Sequence, residues 1–179
     1  MSTLVGILSD THGSLPDAAY ASLADVDHII HAGDIGNPEI LRLLEGLAPT
    51  TAVLGNNDFD EYGAAVGRFA HPVIENVRFL VSHYPRDVRI GFNGCAGLAA
   101  GDPLPQVCVH GHTHIPELIF GKEARPANIM LCPGSVARPR GEFPRSLAKM
   151  LLKDGRIVAT RVETLSGLPI FECGTWPES

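Results

Sequence analysis

At 179 residues the chain is long enough for one domain with a proper core and too short for two of ordinary size, and with 45% apolar and 19% charged residues it does not have the composition of a disordered polypeptide. A formal charge of −6 argues against bulk nucleic-acid binding, although a bound pair of divalent cations would place positive charge where an anionic substrate needs it. No apolar run approaches the roughly 20 residues of a membrane span, and four cysteines without a C-x-x-C pair, behind an amino terminus without a signal segment, fit a reducing cytoplasm.

The first half alternates short apolar runs with helical stretches, the pattern of layered α/β sheets. Residues 4–8 read as a buried strand that runs into Ser9-Asp10-Thr11-His12-Gly13, and Pro16 opens a helix reaching residue 24. A second strand, 28–31, ends at Gly33-Asp34. Asn37 is placed to cap the next helix, with Pro38 in its first turn and Ile40, Leu41, Leu44 and Leu47 on its apolar face. The third strand, 51–54, ends at Gly55-Asn56-Asn57-Asp58. Three strands thus deliver polar residues to their carboxyl ends, where ligands gather in such sheets.

The second half is mostly sheet: 78–82, 107–109, 117–120, 129–132, 147–152 and 157–162 are strand-like, and Asp154-Gly155 is a strong hairpin signal between the last two. Gly91, Gly94, Gly97 and Gly101 each cost a helix about 1 kcal/mol relative to alanine, so any helix there is weak or short. The expected organisation is a single domain over residues 1–179.

The polar residues at strand ends are Asp10, His12, Asp34, Asn56, His83, His112 and His114. A mixed carboxylate and imidazole set suits Mn²⁺, Fe²⁺, Zn²⁺ or Ni²⁺, whereas Ca²⁺ prefers oxygen alone and iron-sulfur clusters need thiolates. Seven ligands are too many for one tetrahedral ion and suit two ions that share a carboxylate. The i, i+2 spacing in Asp10-x-His12 and His112-x-His114 puts both side chains on one face of a straight strand, and a loop past a strand end can converge them as well. An isolated histidine is usually a satisfied core or surface group, which is the reading for His28 and His71. His31 and His110 either pack in their strands or orient a neighbouring ligand, and Thr113 is a turn residue or a hydrogen-bond partner of a ligand.

In their order and spacing the segments Asp10-Thr11-His12-Gly13, Gly33-Asp34, Gly55-Asn56-Asn57-Asp58, His83, Gly111-His112-Thr113-His114 and Pro133-Gly134-Ser135 resemble the calcineurin-like metallophosphoesterases, within them the small bacterial and archaeal phosphodiesterases. The resemblance runs from near residue 4 to near residue 163. It implies an α/β fold, a four-layer αββα sandwich of two mixed β-sheets. It also implies one metal held by Asp10, His12, Asp34 and His114 and another by Asp34, Asn56, His83 and His112, with Asp34 as the bridge. The implied cofactor is two divalent metal ions, Mn²⁺ first, with Fe²⁺, Ni²⁺ or Zn²⁺ as alternatives. Two such cations about 3.5–4 Å apart acidify a shared water, so that hydroxide attacks the phosphorus of a small phosphate ester near neutral pH.

On this reading Asp34, Asn56, Asn57, Asp58 and His83 are the catalytic candidates, and Asn57, Tyr84, Ser135 and Arg138 the substrate-binding ones, with Arg140 beside them. The chain departs from the family twice. Asn57 stands where many relatives carry a histidine that serves the leaving group, with Asp58 as a substitute acid; His83-Tyr84-Pro85 replaces a common His-Gly-His. A phosphodiesterase is the leading expectation, with phosphomonoesterase or cyclic-nucleotide hydrolase as alternatives. Of another class is a non-catalytic scaffold, as in the retromer subunit that resembles this family. The expected partner is a small phosphate ester, with no membrane and no bulk nucleic acid; a homodimer is compatible with the sequence.

Overall fold

The computed structural model describes residues 2–59, 62–91 and 93–177. Its elements run β1 (Ser2–Leu8), α1 (Asp17–Ser22), β2 (His28–His31), α2 (Pro38–Glu45), β3 (Thr50–Ala52), β4 (Phe69–Ala70), β5 (Val73–Ile74), β6 (Val77–Ser82), α3 (Pro85–Val88), β7 (Val107–Val109), β8 (Glu117–Phe120), β9 (Ile129–Cys132), β10 (Ser146–Lys153), β11 (Arg156–Thr164) and β12 (Pro169–Gly174). Among the described residues these strands form two mixed sheets. One has the order β12-β11-β10-β1-β2-β3; the other runs β4-β6-β7-β9-β8, with β5 pairing β6.

Strand alternation assigns each side chain to a layer. Val5 and Ile7 of β1, Ile30 of β2, Val77, Phe79 and Val81 of β6, and Val107 and Val109 of β7 fill the space between the sheets. On the other face of the first sheet, Leu8 and Ile29 meet Ala19, Ile40, Leu41 and Leu44 of α1 and α2. The out-of-phase residues Leu80 and Cys108 face Val88, Ala124 and Ala127 outside the second sheet. This is the αββα sandwich that the sequence implied.

The two outer layers differ in thickness. Helix α2 is built as its sequence dictates: Asn37 Oδ1 accepts the Glu39 N–H at 2.9 Å, Pro38 occupies the first turn, and Ile40, Leu41 and Leu44 are buried. Over the second sheet the described residues form only the four-residue α3 and a short 3₁₀ turn, Gly121–Ala124. No described residue between 91 and 105 is helical, in keeping with the glycine content of that stretch. None of the described helices is long and apolar enough to cross a membrane.

Parallel pairing positions the site. β1, β2 and β3 are parallel neighbours, as are β6, β7 and β9. The carboxyl ends of each set open at one end of its sheet, and the loops that follow β1, β2, β3, β6, β7 and β9 carry all the polar segments noted above. Asp10 N donates to Gly33 O and His12 N to Asp34 O, while Gly111 N donates to His83 O, so the loops of each sheet are tied together.

Candidate metal centre

The seven side chains named from strand-end positions meet at this junction. Asp10, His12, Asp34 and His114 each offer a ligand atom, all within 4.8 Å of one another. His114 Nε2 lies 3.1 Å from Asp10 Oδ1, and His12 Nε2 lies 3.3 Å from His114 Nε2 and 3.7 Å from Asp34 Oδ2. A second group adjoins the first: His83 Nε2 is 3.2 Å from Asn56 Oδ1 and 3.5 Å from Asp34 Oδ1, and His112 Nδ1 is 2.9 Å from Asn56 Oδ1. Asp34 therefore faces one group with each oxygen. Five of the seven (Asp10, His12, Asp34, His112 and His114) have φ between 46° and 69°. The two i, i+2 pairs thus converge in left-handed loops past the strand ends and not along straight strands.

The hydrogen bonds behind the ligands decide what their free atoms can do. His83 Nδ1 donates to Ala32 O at 2.9 Å and His114 Nδ1 donates to Arg138 O, since a carbonyl oxygen can only accept. In the neutral ring each Nε2 is then a lone pair, and it points at carboxylate or amide oxygens that are also acceptors. Asp10 Oδ2 accepts from Ser9 Oγ at 2.6 Å and His112 N at 3.1 Å. Asp10 Oδ1 is buried and has no hydrogen-bond partner among the described residues. Such a gathering of acceptors is relieved by positive charge, a proton on an imidazole or a metal ion, and its nitrogen and oxygen donors fit a divalent transition metal.

The electrostatics agree. Burial alone would raise the Asp10 carboxyl, but the contact with His114, the His83 charge and the Ser9 hydroxyl outweigh it and hold it below the usual carboxylate range. The same contact with Asp10 raises His114 against the effect of burial. Burial lowers His12 despite Asp34 and Asp10, and burial with the His83 charge lowers His112. Three of these groups therefore favour the deprotonated, metal-competent form, while the contact with Asp10 makes His114 give up its proton less readily, so that a metal would compete with that proton for Nε2.

The calcineurin-like phosphoesterase superfamily domain matches residues 3–155. A "probable metallophosphoesterase" of Methanothermobacter thermautotrophicus is 37% identical over 145 residues, covering 76% of this chain and 79% of the relative. The chain belongs to the calcineurin-like phosphoesterase superfamily. In overall shape it is similar to a predicted phosphoesterase of Streptococcus pneumoniae, with TM-score 0.69, 21% identity and coverage of 98% and 99% of the two chains. It is also similar to Vps29 of Entamoeba histolytica complexed with zinc, with TM-score 0.68, 19% identity and coverage of 90% and 92%. At these identities the two structures speak for the fold alone.

Within this calcineurin-like frame the remaining candidates have distinct positions. Asn57 donates to Asp34 twice, from its backbone N at 2.9 Å and from Nδ2 at 2.6 Å. Asp58 faces away from the ligands. Its carboxylate accepts from the N–H groups of Ile35, Gly36 and Gly55 and from the Tyr62 hydroxyl, and so fastens the loops after β2 and β3 to each other. Ser135 is fully buried; its hydroxyl donates to Asp10 O and accepts from Ala137 N and Arg138 N, which clips the loop after β9 to the loop after β1. Arg138 and Arg140 are exposed, and their charges are felt at His12 and at His112 and His114 respectively. The Tyr84 ring packs edge-on to His83 and against His112, with ring centroids at 5.3 and 4.9 Å.

His28 bonds Thr51 Oγ1 and His71 bonds Gly97 O, both outside the ligand group. Thr113 Oγ1 donates to Ile115 O in the turn after His112. Sequence reasoning missed Ser9 and the carbonyls of Ala32 and Arg138. Carbonyl partners leave no trace in residue type, and a serine before an aspartate is too common to be a signal.

His31 and His110 support the loops in opposite charge states. His31 Nδ1 accepts from Gly33 N, so Nε2 donates to Thr11 Oγ1; burial pushes this ring down to about 4. At His110 burial opposes the proton, but Cys132 and the bond to Glu117 push the imidazolium up to about 10, and both ring nitrogens face acceptors, Gly111 O and Glu117 Oε2. The His31 contribution to stability is complete above about pH 6.5, the unfolded value, and is lost as pH falls through about 4. That of His110 is complete below about pH 6.5 and is lost as pH rises through about 10. Urea denaturation of metal-free protein should show the acid-side loss, about 3 kcal/mol, shrinking in His31→Asn. An identical acid limb in that variant would contradict the assignment.

Proposed function

We propose that the chain is a phosphodiesterase that holds two divalent cations, Mn²⁺ foremost, and hydrolyses a small or nucleotide-like phosphate ester in the cytoplasm. The observation that carries this is the convergence of carboxylate oxygens and imidazole nitrogens from three separate loops within 4.8 Å of one another, around an Asp10 carboxylate that is wholly buried. Asp10, His12, Asp34 and His114 would hold one ion and Asp34, Asn56, His83 and His112 the other. Bound there, a pair of divalent ions supplies an acidified water and positive charge against the developing phosphoryl oxygens.

The chain's own residues set the rest. Ala32 O and Arg138 O fix the imidazole rings of His83 and His114, so the site is organised before substrate arrives. Arg138 and Arg140 add positive charge on the side of His12, His112 and His114, where an anionic ester enters. Asn57 stands at Asp34 and can donate a hydrogen bond to a departing oxygen, but an amide gives up no proton at neutral pH. Asp58 is engaged with three backbone N–H groups and is left out of proton transfer.

The leaving group must then depart largely on its own acidity. Across p-nitrophenyl, phenyl and alkyl diesters, kcat/KM is expected to fall steeply as the leaving-group pKa rises; a flat dependence would show that another acid acts. The overall reading is tested by stripping metal with chelator, restoring Mn²⁺, Ni²⁺ or Zn²⁺ separately, and following bis(p-nitrophenyl) phosphate beside p-nitrophenyl phosphate. Faster metal-dependent diester cleavage supports the proposal, while a monoester preference turns it into a phosphomonoesterase. Silence on both, with any metal, favours a scaffold.

A further inference from the structure

Beside the metal centre lies a cavity of about 430 Å³ that includes Thr113, the residue between His112 and His114. Its polar lining is Arg86, Arg89, His110 and Glu117. Glu117 is the one carboxylate among these lining residues, and its Oε2 already accepts from Arg89 Nη2 at 2.8 Å and from His110 Nε2 at 3.1 Å. Among the described residues the nearest carboxylate to Arg86, Asp87, lies 4.0 Å away and is taken by two bonds from Arg68, at 2.9 and 2.7 Å. Arg89 Nε is buried and meets no acceptor among the described residues. The lining thus carries more positive charge than its carboxylates neutralise, and its arginines have donors to spare.

The cavity is coupled to the metal ligands through one ring. The Arg86 guanidinium lies over Tyr84, 4.7 Å from its centroid, and Tyr84 packs on His112. We infer that this cavity receives a second anionic group, a phosphate or carboxylate, on the organic part of the substrate whose ester is cleaved at the metal centre. The inference rests on the phosphodiesterase reading and names its substrate class: esters charged at both ends. The exposed part of the Arg89 guanidinium, beside its bond to Glu117, can donate to an oxygen of such a group, and the largely exposed Arg86 adds a loosely paired charge at the mouth. Ile115 and Pro116, also in the lining, give the carbon skeleton an apolar wall.

Two measurements test it. Chelator-treated protein is titrated calorimetrically with thymidine 3′,5′-bisphosphate; saturable binding is expected, weakened tenfold or more in Arg89→Ala and in Arg86→Ala. The Arg86 side chain is 75% exposed, so its loss leaves the fold in place even if Arg89→Ala does not. No binding to the unaltered chain, or equal affinity in both variants, overturns the inference. The metal-loaded enzyme is then given the p-nitrophenyl ester of thymidine 5′-phosphate with and without a 3′-phosphate, a pair with the same leaving group. A preference of tenfold or more for the 3′-phosphorylated ester, expressed in KM and falling toward unity in both variants, supports the pocket. Equal turnover of the two esters sinks the pocket and leaves the phosphodiesterase reading intact. Turnover of neither sinks that reading, and the metal-free titration still decides the pocket.

Discussion

Asp34→Ala is expected to lower kcat/KM for bis(p-nitrophenyl) phosphate by about a thousandfold or more, and to lower bound metal from the proposed two ions per chain to one or none. The reason is geometric: among the described residues Asp34 is the one side chain that faces both groups, with Oδ2 3.7 Å from His12 Nε2 and Oδ1 3.5 Å from His83 Nε2. His83→Ala and His112→Ala each touch one group, so they should retain one ion while losing turnover on a similar scale. Circular dichroism and the urea midpoint of metal-free protein should change little in His112→Ala, whose ring is only partly buried. Elemental analysis beside steady-state rates checks the set; a near-normal rate in Asp34→Ala, or two ions still bound, would contradict the bridging role.

Gly55→Ala should be as damaging, by another route. A Cβ at residue 55 would coincide with the backbone N and Oδ1 of Asp34, and backbone cannot move aside as a side-chain tip can. The loop after β3 would have to withdraw, taking Asn56 and Asn57 from the ligand group and breaking the Gly55 N–H bond to Asp58. The expected result is loss of activity close to that of Asp34→Ala, with a stability cost of about 2 kcal/mol or more. Gly67→Ala is the control, since its Cβ would meet nothing closer than 4.0 Å. If both variants keep their rate and urea midpoint, the close approach of the two loops is not what holds the site.

The meeting of these seven side chains was readable because they stand at the carboxyl ends of strands with strong apolar patterns. β2, β7, β8 and β9 have the bounds their sequences suggest, and the Asn37 cap and the Asp154-Gly155 turn follow local chemistry. Elements without such a signal escaped notice. β12 is an edge strand, largely exposed, so nothing forces an alternating pattern on it. β4 and β5 are two residues each and exist only because β6 is there to pair with. Within the site, residue type told what Asp58 and Ser135 can donate or accept but not where. Both turn to the backbone of neighbouring loops, a choice made by tertiary packing. The crowding of Gly55 against Asp34, and of Gly111 against Ser9 and Asp10, likewise follows from how two loops meet in space.

The left-handed backbone of Asp10, His12, Asp34, His112 and His114 has an evolutionary corollary. Each non-glycine residue held there costs on the order of 1–3 kcal/mol, and glycine would be more comfortable at every one of the five positions. Heat resistance and hydrolysis therefore pull in opposite directions at these residues. Where the side chain anchors a neighbouring loop, as Asp10 and Asp34 do, that relief is offset by the bonds lost; at His12 and His112 glycine would ease the backbone and remove a donor from the centre.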